Sequence, residues 1–127
     1  MIGRTNRFHG RNSLQRHYSH SQTVRGANLA LRYAPSARLQ YRASVVVSRK
    51  VSKSAVVRGR IRRRIYENVR ILSSNFTGVY DVVFFAYDDS LAQLPAPELA
   101  KEVRKLCQKA GLIAAKPSGH AIVEPKD

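Results

Sequence analysis

Acidic residues are missing from the first half of this sequence. Residues 1–66 contain 16 Lys and Arg side chains and no Asp or Glu, whereas residues 67–127 contain 7 basic and 8 acidic side chains. The chain of 127 residues therefore has a formal net charge of +15. Such a charge attracts polyanions by counterion release and long-range steering, and it favours nucleic acid as the partner. Anionic lipid is the weaker alternative, because the basic residues are spread over several elements instead of one amphipathic helix.

Other absences exclude whole classes of protein. No apolar run approaches the roughly 20 residues that cross a bilayer, so we expect no membrane association. Residues 1–11 lack the apolar stretch of a secretory signal, and the single cysteine, Cys107, excludes an internal disulfide framework; both features predict a reducing, cytoplasmic location. No Gly-rich phosphate loop, nucleophile elbow or dinucleotide fingerprint is present, and we predict no small-molecule substrate.

The residues for a protein-borne hydrolytic centre are also lacking. Cleavage of a phosphodiester by protein groups alone usually needs carboxylates that hold Mg²⁺, or two histidines that act as acid and base. Asp88 and Asp89 are adjacent, so an extended segment would point them to opposite faces, and no Cys or third ligand accompanies His17 and His20. We therefore predict no catalytic residue, and no metal or cofactor bound by the protein alone.

Hydrophobic periodicity and turn residues predict one domain. Apolar residues make up 43% of the chain, enough for a core at this length. The predicted elements are a short helix over 11–20, strands over 28–33 and 42–47, a long helix over 55–72 capped by Ser54, an apolar strand over 79–87, and a last helix from Pro97 to Gly111. Cys107 belongs to the apolar stripe of that last helix and is expected to be a buried structural thiol. Residues 1–113 form the predicted domain, and 114–127 a disordered tail.

The most informative segment is residues 48–67, S-R-K-V-S-K-S-A-V-V-R-G-R-I-R-R-R-I-Y-E. It contains eight Arg or Lys residues before the first acid of the chain, and five of them are arginines within residues 58–64. The apolar residues recur every three or four positions, which places Arg60, Arg63 and Arg70 on the opposite side of the helix and Arg58 and Arg62 at its flanks.

A solvated basic face is the plain alternative for this segment. However, none of these basic residues has an acid three or four positions earlier, and uncompensated arginines repel one another unless a polyanion binds them. The planar guanidinium group also matches phosphate oxygens. The segment therefore predicts a phosphate-binding surface.

The same segment resembles the protein subunit of bacterial ribonuclease P, a family marked by an Arg-Asn-Arg helix. The family pattern is approximately S-K-K-V-G-x-A-V-x-R-N-R-hydrophobic-K-R-x-hydrophobic-R-E. The matching residues are Ser48, Lys50, Val51, Ala55, Val56, Arg58, Arg60, Ile61, Arg63 and Ile65, with Arg49 and Arg62 in place of Lys. Residues 7–24 are similar to the family's first helix and strand, Tyr80-Asp81-Val82-Val83 to its last strand, and 99–111 to its last helix. The resemblance covers roughly residues 4–112.

The resemblance implies an α+β fold in a single small domain. The elements would follow the order α-β-β-β-α-β-α in a two-layer sandwich, similar to the fold of the second domain of a ribosomal protein. The Arg-rich helix would connect two parallel strands by a left-handed crossover, against the usual preference.

The resemblance also implies a function. In this family the RNA subunit carries the active site and uses Mg²⁺, and the holoenzyme, an endoribonuclease, removes the 5′ leader of precursor tRNA. The expected partners are therefore the catalytic RNA and precursor tRNA. A non-catalytic structural RNA-binding protein, such as a ribosomal protein, is the alternative.

Site residues are carried over position by position. Those expected to contact the catalytic RNA are Arg49, Lys50, Lys53, Arg58, Arg60, Arg62 and Arg63. Those expected to line a cleft for the leader, where aromatic rings stack on bases, are Phe8, Leu14, Tyr18, Arg32 and Tyr33. Core packing is the alternative for Leu14 and for one of Leu31 or Tyr33. Several positions depart from the family. Arg32 stands where an aromatic residue is common, and Gly59 replaces the Asn, which lowers helix propensity by about 1 kcal/mol relative to Ala. Ser52 replaces a common Gly, and Asp88 and Asp89 follow the last strand in a region that the family usually keeps basic.

Overall fold

The computed structural model describes residues 21–113, which contain four strands and two α-helices. In chain order these elements are β1 (Gln22–Arg25), β2 (Leu29–Pro35), β3 (Arg42–Val46), α1 (Ala55–Leu72), β4 (Tyr80–Ala86) and α2 (Ala96–Ala110). Short 3₁₀ turns lie at Ser73–Asn75 and Asp89–Ala92. The predicted α+β class is confirmed. The predicted first helix over 11–20 and the predicted tail over 114–127 lie outside the described residues.

The four strands form one sheet in the order β1-β2-β4-β3. The β1–β2 and β2–β4 pairs are antiparallel, whereas β3 and β4 are parallel. Helix α1 connects the two parallel strands, as the resemblance implied; the handedness of that connection stays a prediction. Strand β4 is central, and residues on both of its faces, such as Asp81 and Val82, are buried, as its nearly continuous apolar run predicts.

Side-chain alternation gives the sheet two different faces. Leu31, Val45 and Phe84 are register partners that belong to the core between the sheet and the two helices. Arg32 and Val83 alternate with them and point to the other face, which we call the second face. Both helices therefore pack on one side of the sheet.

Helix α1 begins where the sequence predicts. The Ser54 side chain accepts a hydrogen bond from the backbone N–H of Val57 at 3.2 Å, which satisfies one of the free donors of the first turn. Ile61 and Ile65 are fully buried, and burial of each such side chain contributes about 1.5 to 3 kcal/mol. The Tyr66 hydroxyl accepts from the backbone N–H of Val45, which joins the helix to β3.

Helix α2 also has the predicted limits. Pro97 lies in its first turn, and Gly111 ends it with a φ of 81°, a left-handed conformation that favours glycine. Cys107 is 1% exposed, and burial raises the pKa of its thiol to about 12, so it is a buried, protonated thiol as expected. Neither helix is apolar over enough of its length to span a bilayer.

Candidate nucleic-acid interface

The seven residues predicted to contact the catalytic RNA follow one another through the β3–α1 loop and the first turns of α1. We call them the arginine surface: Arg49, Lys50, Lys53, Arg58, Arg60, Arg62 and Arg63. Arg60 and Arg63 are exposed, as are the three basic loop residues, while Arg58 and Arg62 are partly buried at the helix flanks, as the periodicity predicts. Packing of the opposite side of α1 holds the four arginines of the helix on a rigid support.

Arg58 has a structural role that sequence reasoning missed. Its guanidinium donates to the backbone carbonyl of Ser52 at 2.9 Å, and the Ser52 hydroxyl accepts from the backbone N–H of Ser54 at 3.1 Å. These bonds hold the basic loop against the first turn of α1. Loop and helix therefore form one surface.

Gly59 lies beside the guanidinium groups of two arginines that follow it in α1. A Cβ atom at this position would lie 3.4 Å from a terminal nitrogen of Arg63 and 3.9 Å from one of Arg62, which is ordinary van der Waals contact. Among residues 21–113, positive φ occurs at Gly111 alone. The backbone therefore does not require glycine at position 59, and the replacement of Asn leaves a small gap between two cations.

Arg64 is the inward member of the arginine run. Its guanidinium donates to the carbonyl of Leu91 at 2.5 Å and to the carbonyl of Leu94. These bonds satisfy two acceptors of the turn that precedes α2 and join that turn to α1. The sequence places Arg64 three positions after Ile61, but Arg60 stands in the same relation to Val57, so this spacing does not distinguish the inward arginine from the exposed one.

An exposed ion pair lies further along α1. Arg70 donates to the carboxylate of Glu67 at 2.5 Å, and this hydrogen bond lowers the pKa of Glu67 to about 2. The charge of Arg70 is thus compensated within its own helix. The uncompensated part of the helix is the part before Glu67.

The two described members of the predicted leader cleft lie on opposite faces of the sheet. Arg32 points to the second face, where its Nε donates to the Ser21 hydroxyl at 2.6 Å. Tyr33 packs against the core on the helix side, and its hydroxyl donates to Gln22 at 3.0 Å. The structure therefore does not bring these two side chains together on one face, because neighbouring strand residues alternate between faces. Phe8, Leu14 and Tyr18 lie outside the described residues.

Two aromatic side chains that sequence reasoning missed share the face of Arg32. Phe85 and Tyr87 alternate with the core residues of β4, and they line a groove of about 260 Å³ together with Lys50. Phe85 is partly buried and Tyr87 is half exposed. The groove thus combines two rings with an ammonium group from the arginine surface. Their spacing of two within a strand was the available signal.

The second face also contains an ion pair. Arg42 donates to both carboxylate oxygens of Asp81, from Nε at 2.9 Å and from a terminal nitrogen at 2.8 Å, and this raises the pKa of Arg42. Asp81 is the buried charged residue among those described, so its charge needs such a partner. The pair links β3 to β4.

The adjacent acids after β4 have a local role. The Asp88 side chain accepts from the backbone N–H of Ser90 at 3.0 Å, which caps the 3₁₀ turn and lowers the pKa of Asp88. Asp89 lies exposed in the first turn of that short helix. In residues 21–113 no group of three or more His, Cys, Asp or Glu side chains could hold a metal ion.

A rigid arginine surface on a small α+β domain, beside a groove with aromatic rings, defines a class: RNA-binding proteins that hold a phosphate backbone. The family model of Ribonuclease P matches residues 2–111. The chain belongs to the ribonuclease P protein family.

Individual relatives agree with this assignment. The ribonuclease P protein component of Caldanaerobacter subterraneus subsp. tengcongensis is 36% identical over 102 residues, covering 80% of this chain and 86% of the relative. That of a Synechococcus strain is 34% identical over 119 residues, covering 91% and 89%. The match of family and fold favours the ribonuclease P component over a structural ribosomal protein.

Solved structures support the fold. The RNase P protein from Staphylococcus aureus superposes with a TM-score of 0.74 at 19% identity, covering 85% of this chain and 97% of that one. The RNase P protein from Thermotoga maritima gives a TM-score of 0.72 at 14% identity, with 81% and 96% covered. As a member of the ribonuclease P protein family, this protein is the protein subunit of an endoribonuclease.

Proposed function

We propose that the arginine surface binds the phosphate backbone of the catalytic RNA of ribonuclease P, and that the second face binds the 5′ leader of precursor tRNA in the cytoplasm. The exposure of Arg60 and Arg63 is the main observation that supports the proposal. They form no ion pair with residues 21–113, and they stand on a helix whose other side is fully packed.

The RNA subunit and the protein subunit contribute different chemistry. The RNA subunit supplies the active site and uses Mg²⁺, and the protein binds no metal or cofactor of its own. The cations of the arginine surface reduce the repulsion between two RNA molecules that must meet at one site. Because the helix is already formed and packed, little conformational entropy is lost when RNA binds.

The leader contact combines charge with stacking. On the second face, Arg32 is a source of positive charge for the leader, while Phe85 and Tyr87 offer rings on which unpaired bases stack at about 1 to 3 kcal/mol each. Stacking tolerates any base, which suits a leader of variable sequence. Tyr33 is no longer assigned to this contact. Phe8, Leu14 and Tyr18 stay assigned by family resemblance.

Cleavage at low Mg²⁺ tests the function. The full-length protein, added to the catalytic RNA from the same genome, should stimulate cleavage of precursor tRNA, and the protein without RNA should not cleave. Tight RNA binding without stimulation would instead indicate a structural RNA-binding protein.

Two arginine substitutions test the surface. The variant with Arg60→Ala and Arg63→Ala should bind the catalytic RNA more weakly, and the slope of log K against log salt should fall by about 0.9 for each phosphate of an RNA duplex that the variant no longer neutralises. Arg38→Ala, in the exposed β2–β3 loop, is the control with an unrelated position. An unchanged slope in the double variant would show that these arginines face solvent in the complex.

A ring substitution tests the second face. Tyr87→Ala should weaken binding of precursor tRNA by the holoenzyme and leave mature tRNA, which has no leader, unaffected. Tyr87→Phe keeps the ring but loses the hydroxyl that accepts from Arg25 at 3.0 Å. It should therefore bind as the wild type does, and an equal loss for both tRNAs would remove Tyr87 from the leader contact.

A further inference from the structure

Helix α2 carries a second basic surface, which the near-neutral net charge of the second half of the chain does not reveal. Lys101, Lys105 and Lys109 recur every four residues and are all exposed. They span about 80° of the helix circumference, opposite the buried stripe that includes Leu99 and Val103. Three of the seven basic residues in the near-neutral second half of the chain therefore lie along one side of one helix.

These lysines line a groove of about 460 Å³ between α2 and the β1–β2 turn. We call it the lysine groove and define it by Lys101, Lys105, Lys109 and residues 25–27. The backbone approaches closely here, because a Cβ on Gly26 would lie 3.3 Å from the Leu106 side chain.

The groove walls are held by specific hydrogen bonds. Glu102 accepts from the backbone N–H of Asn28 at 2.7 Å and from its side-chain amide at 3.3 Å, which fastens the turn to α2. Lys109 donates to the carbonyl of Arg25 at 2.8 Å. The turn, the helix and one ammonium group are therefore fixed relative to one another.

Cations outnumber acids in the groove lining, which contains Arg25, Lys101, Lys105 and Lys109 against Glu98 and Glu102. Both carboxylate oxygens of Glu102 already accept hydrogen bonds from Asn28. Lys101 and Lys105 form no ion pair within the described part of the chain. Glu98 is the other acid in the lining. An anion with spaced negative charges, such as a phosphate backbone, complements such a row.

The position of the groove indicates which RNA it meets. Helix α1 contacts β3 and α2 contacts β1 and β2, and both helices lie on the same face of the sheet. The helical part of the arginine surface and the lysine groove thus belong to one layer, across the width of four strands, or about 14 Å between the outer strands. The proposed leader contact lies on the other face.

We propose that the lysine groove is a second contact for the phosphate backbone of the catalytic RNA. This inference rests on the proposed function of the arginine surface. A large folded RNA on the helix layer reaches both surfaces. The proposed leader contact approaches the groove through Arg25, whose guanidinium donates to the Tyr87 hydroxyl at 3.0 Å, so binding of precursor tRNA must be measured separately.

Charge reversal in the middle of the row tests the proposal. Lys105→Glu in the full-length protein should lower affinity for the catalytic RNA alone about tenfold and reduce the salt slope by about one, since one phosphate loses its cation. Arg38→Glu makes the same change in net charge at the opposite end of the sheet and should lower affinity less than twofold. Lys105→Arg should bind as the wild type does.

The outcomes separate the ways in which the proposal fails. Equal losses for Lys105→Glu and Arg38→Glu would overturn the proposal, because net charge alone would explain them. A loss confined to precursor tRNA would also overturn it and would assign the groove to the substrate. If Lys105→Glu binds the catalytic RNA normally while the Arg60 and Arg63 double variant does not, the proposal about the lysine groove is wrong and the proposed function is retained. If wild-type protein does not bind the catalytic RNA, the proposed function itself fails. Circular dichroism of each variant verifies the fold, and exposed Lys105 has no structural hydrogen bond to lose among the described residues.

Discussion

Replacement of Gly59 by alanine should stabilise the protein without changing its charge. The residue lies inside α1 with helical backbone geometry, and a methyl group meets the Arg63 guanidinium at the ordinary contact distance of 3.4 Å. Alanine loses less backbone entropy on folding than glycine does. In a helix interior this difference raises the free energy of unfolding by about 0.5 to 1 kcal/mol. For a domain of this size the midpoint of thermal unfolding should rise by about 2 to 4 °C.

Gly111→Ala is the matched control, because the same atom is added at a position of opposite backbone geometry. No atom lies within 4 Å of the new methyl group, but φ at Gly111 is 81°. We expect that variant to lose about 1 to 2 kcal/mol, since left-handed geometry is costly for alanine. Urea or thermal denaturation measures both changes. If Gly59→Ala is destabilising, the two guanidinium groups need the empty space, and the reasoning about position 59 is refuted.

Three further predictions concern buried polar groups. Asp81→Asn should lower the free energy of unfolding, measured with denaturant, by about 2 kcal/mol, because the partly buried Arg42 charge loses its bidentate partner. An unchanged denaturation midpoint would mean that solvent screens the pair. Arg64→Met should detach the turn at residues 89–94 from α1, which would speed amide hydrogen exchange in that turn and leave RNA affinity nearly unchanged. A loss of RNA affinity as large as that of the Arg60 and Arg63 double variant would contradict the inward role of Arg64. Cys107 should react with iodoacetamide at pH 8.5 only on unfolding. Its folded pKa of about 12 lies above the value near 8.5 of an unfolded thiol, so its contribution to stability is complete below pH 8.5 and is lost as pH rises toward 12, a trend absent in Cys107→Ala.

Local patterns in the sequence predicted most of the fold. The Ser54 cap, the four-residue recurrence of apolar side chains and Gly111 defined both helices to within a residue or two. Strand β1 was predicted only from the family resemblance, because its four residues, Q-T-V-R, are too few and too polar to show a hydrophobic period.

The partners of individual charges were not predictable in the same way. Arg64 bonds to carbonyls 27 and 30 residues away, and Arg42 bonds to a carboxylate 39 residues away. Such contacts depend on strand order, which local periodicity does not contain. The joint assignment of Arg32 and Tyr33 to one cleft was different, since strand alternation alone predicts that the two side chains point to opposite faces. Family resemblance carried the two positions over together, and the elementary geometry of a strand was the better guide.

The strand order has a consequence for how the chain folds during synthesis. Strands β2 and β3 do not pair with each other; each pairs with β4, which lies between them and is made last. Residues 1–66, with their 16 positive charges, therefore leave the ribosome before their sheet can close. Until residues 80–86 emerge, the arginine helix has no completed sheet to pack on. The near-neutral half of the chain thus decides when the basic half becomes an ordered surface.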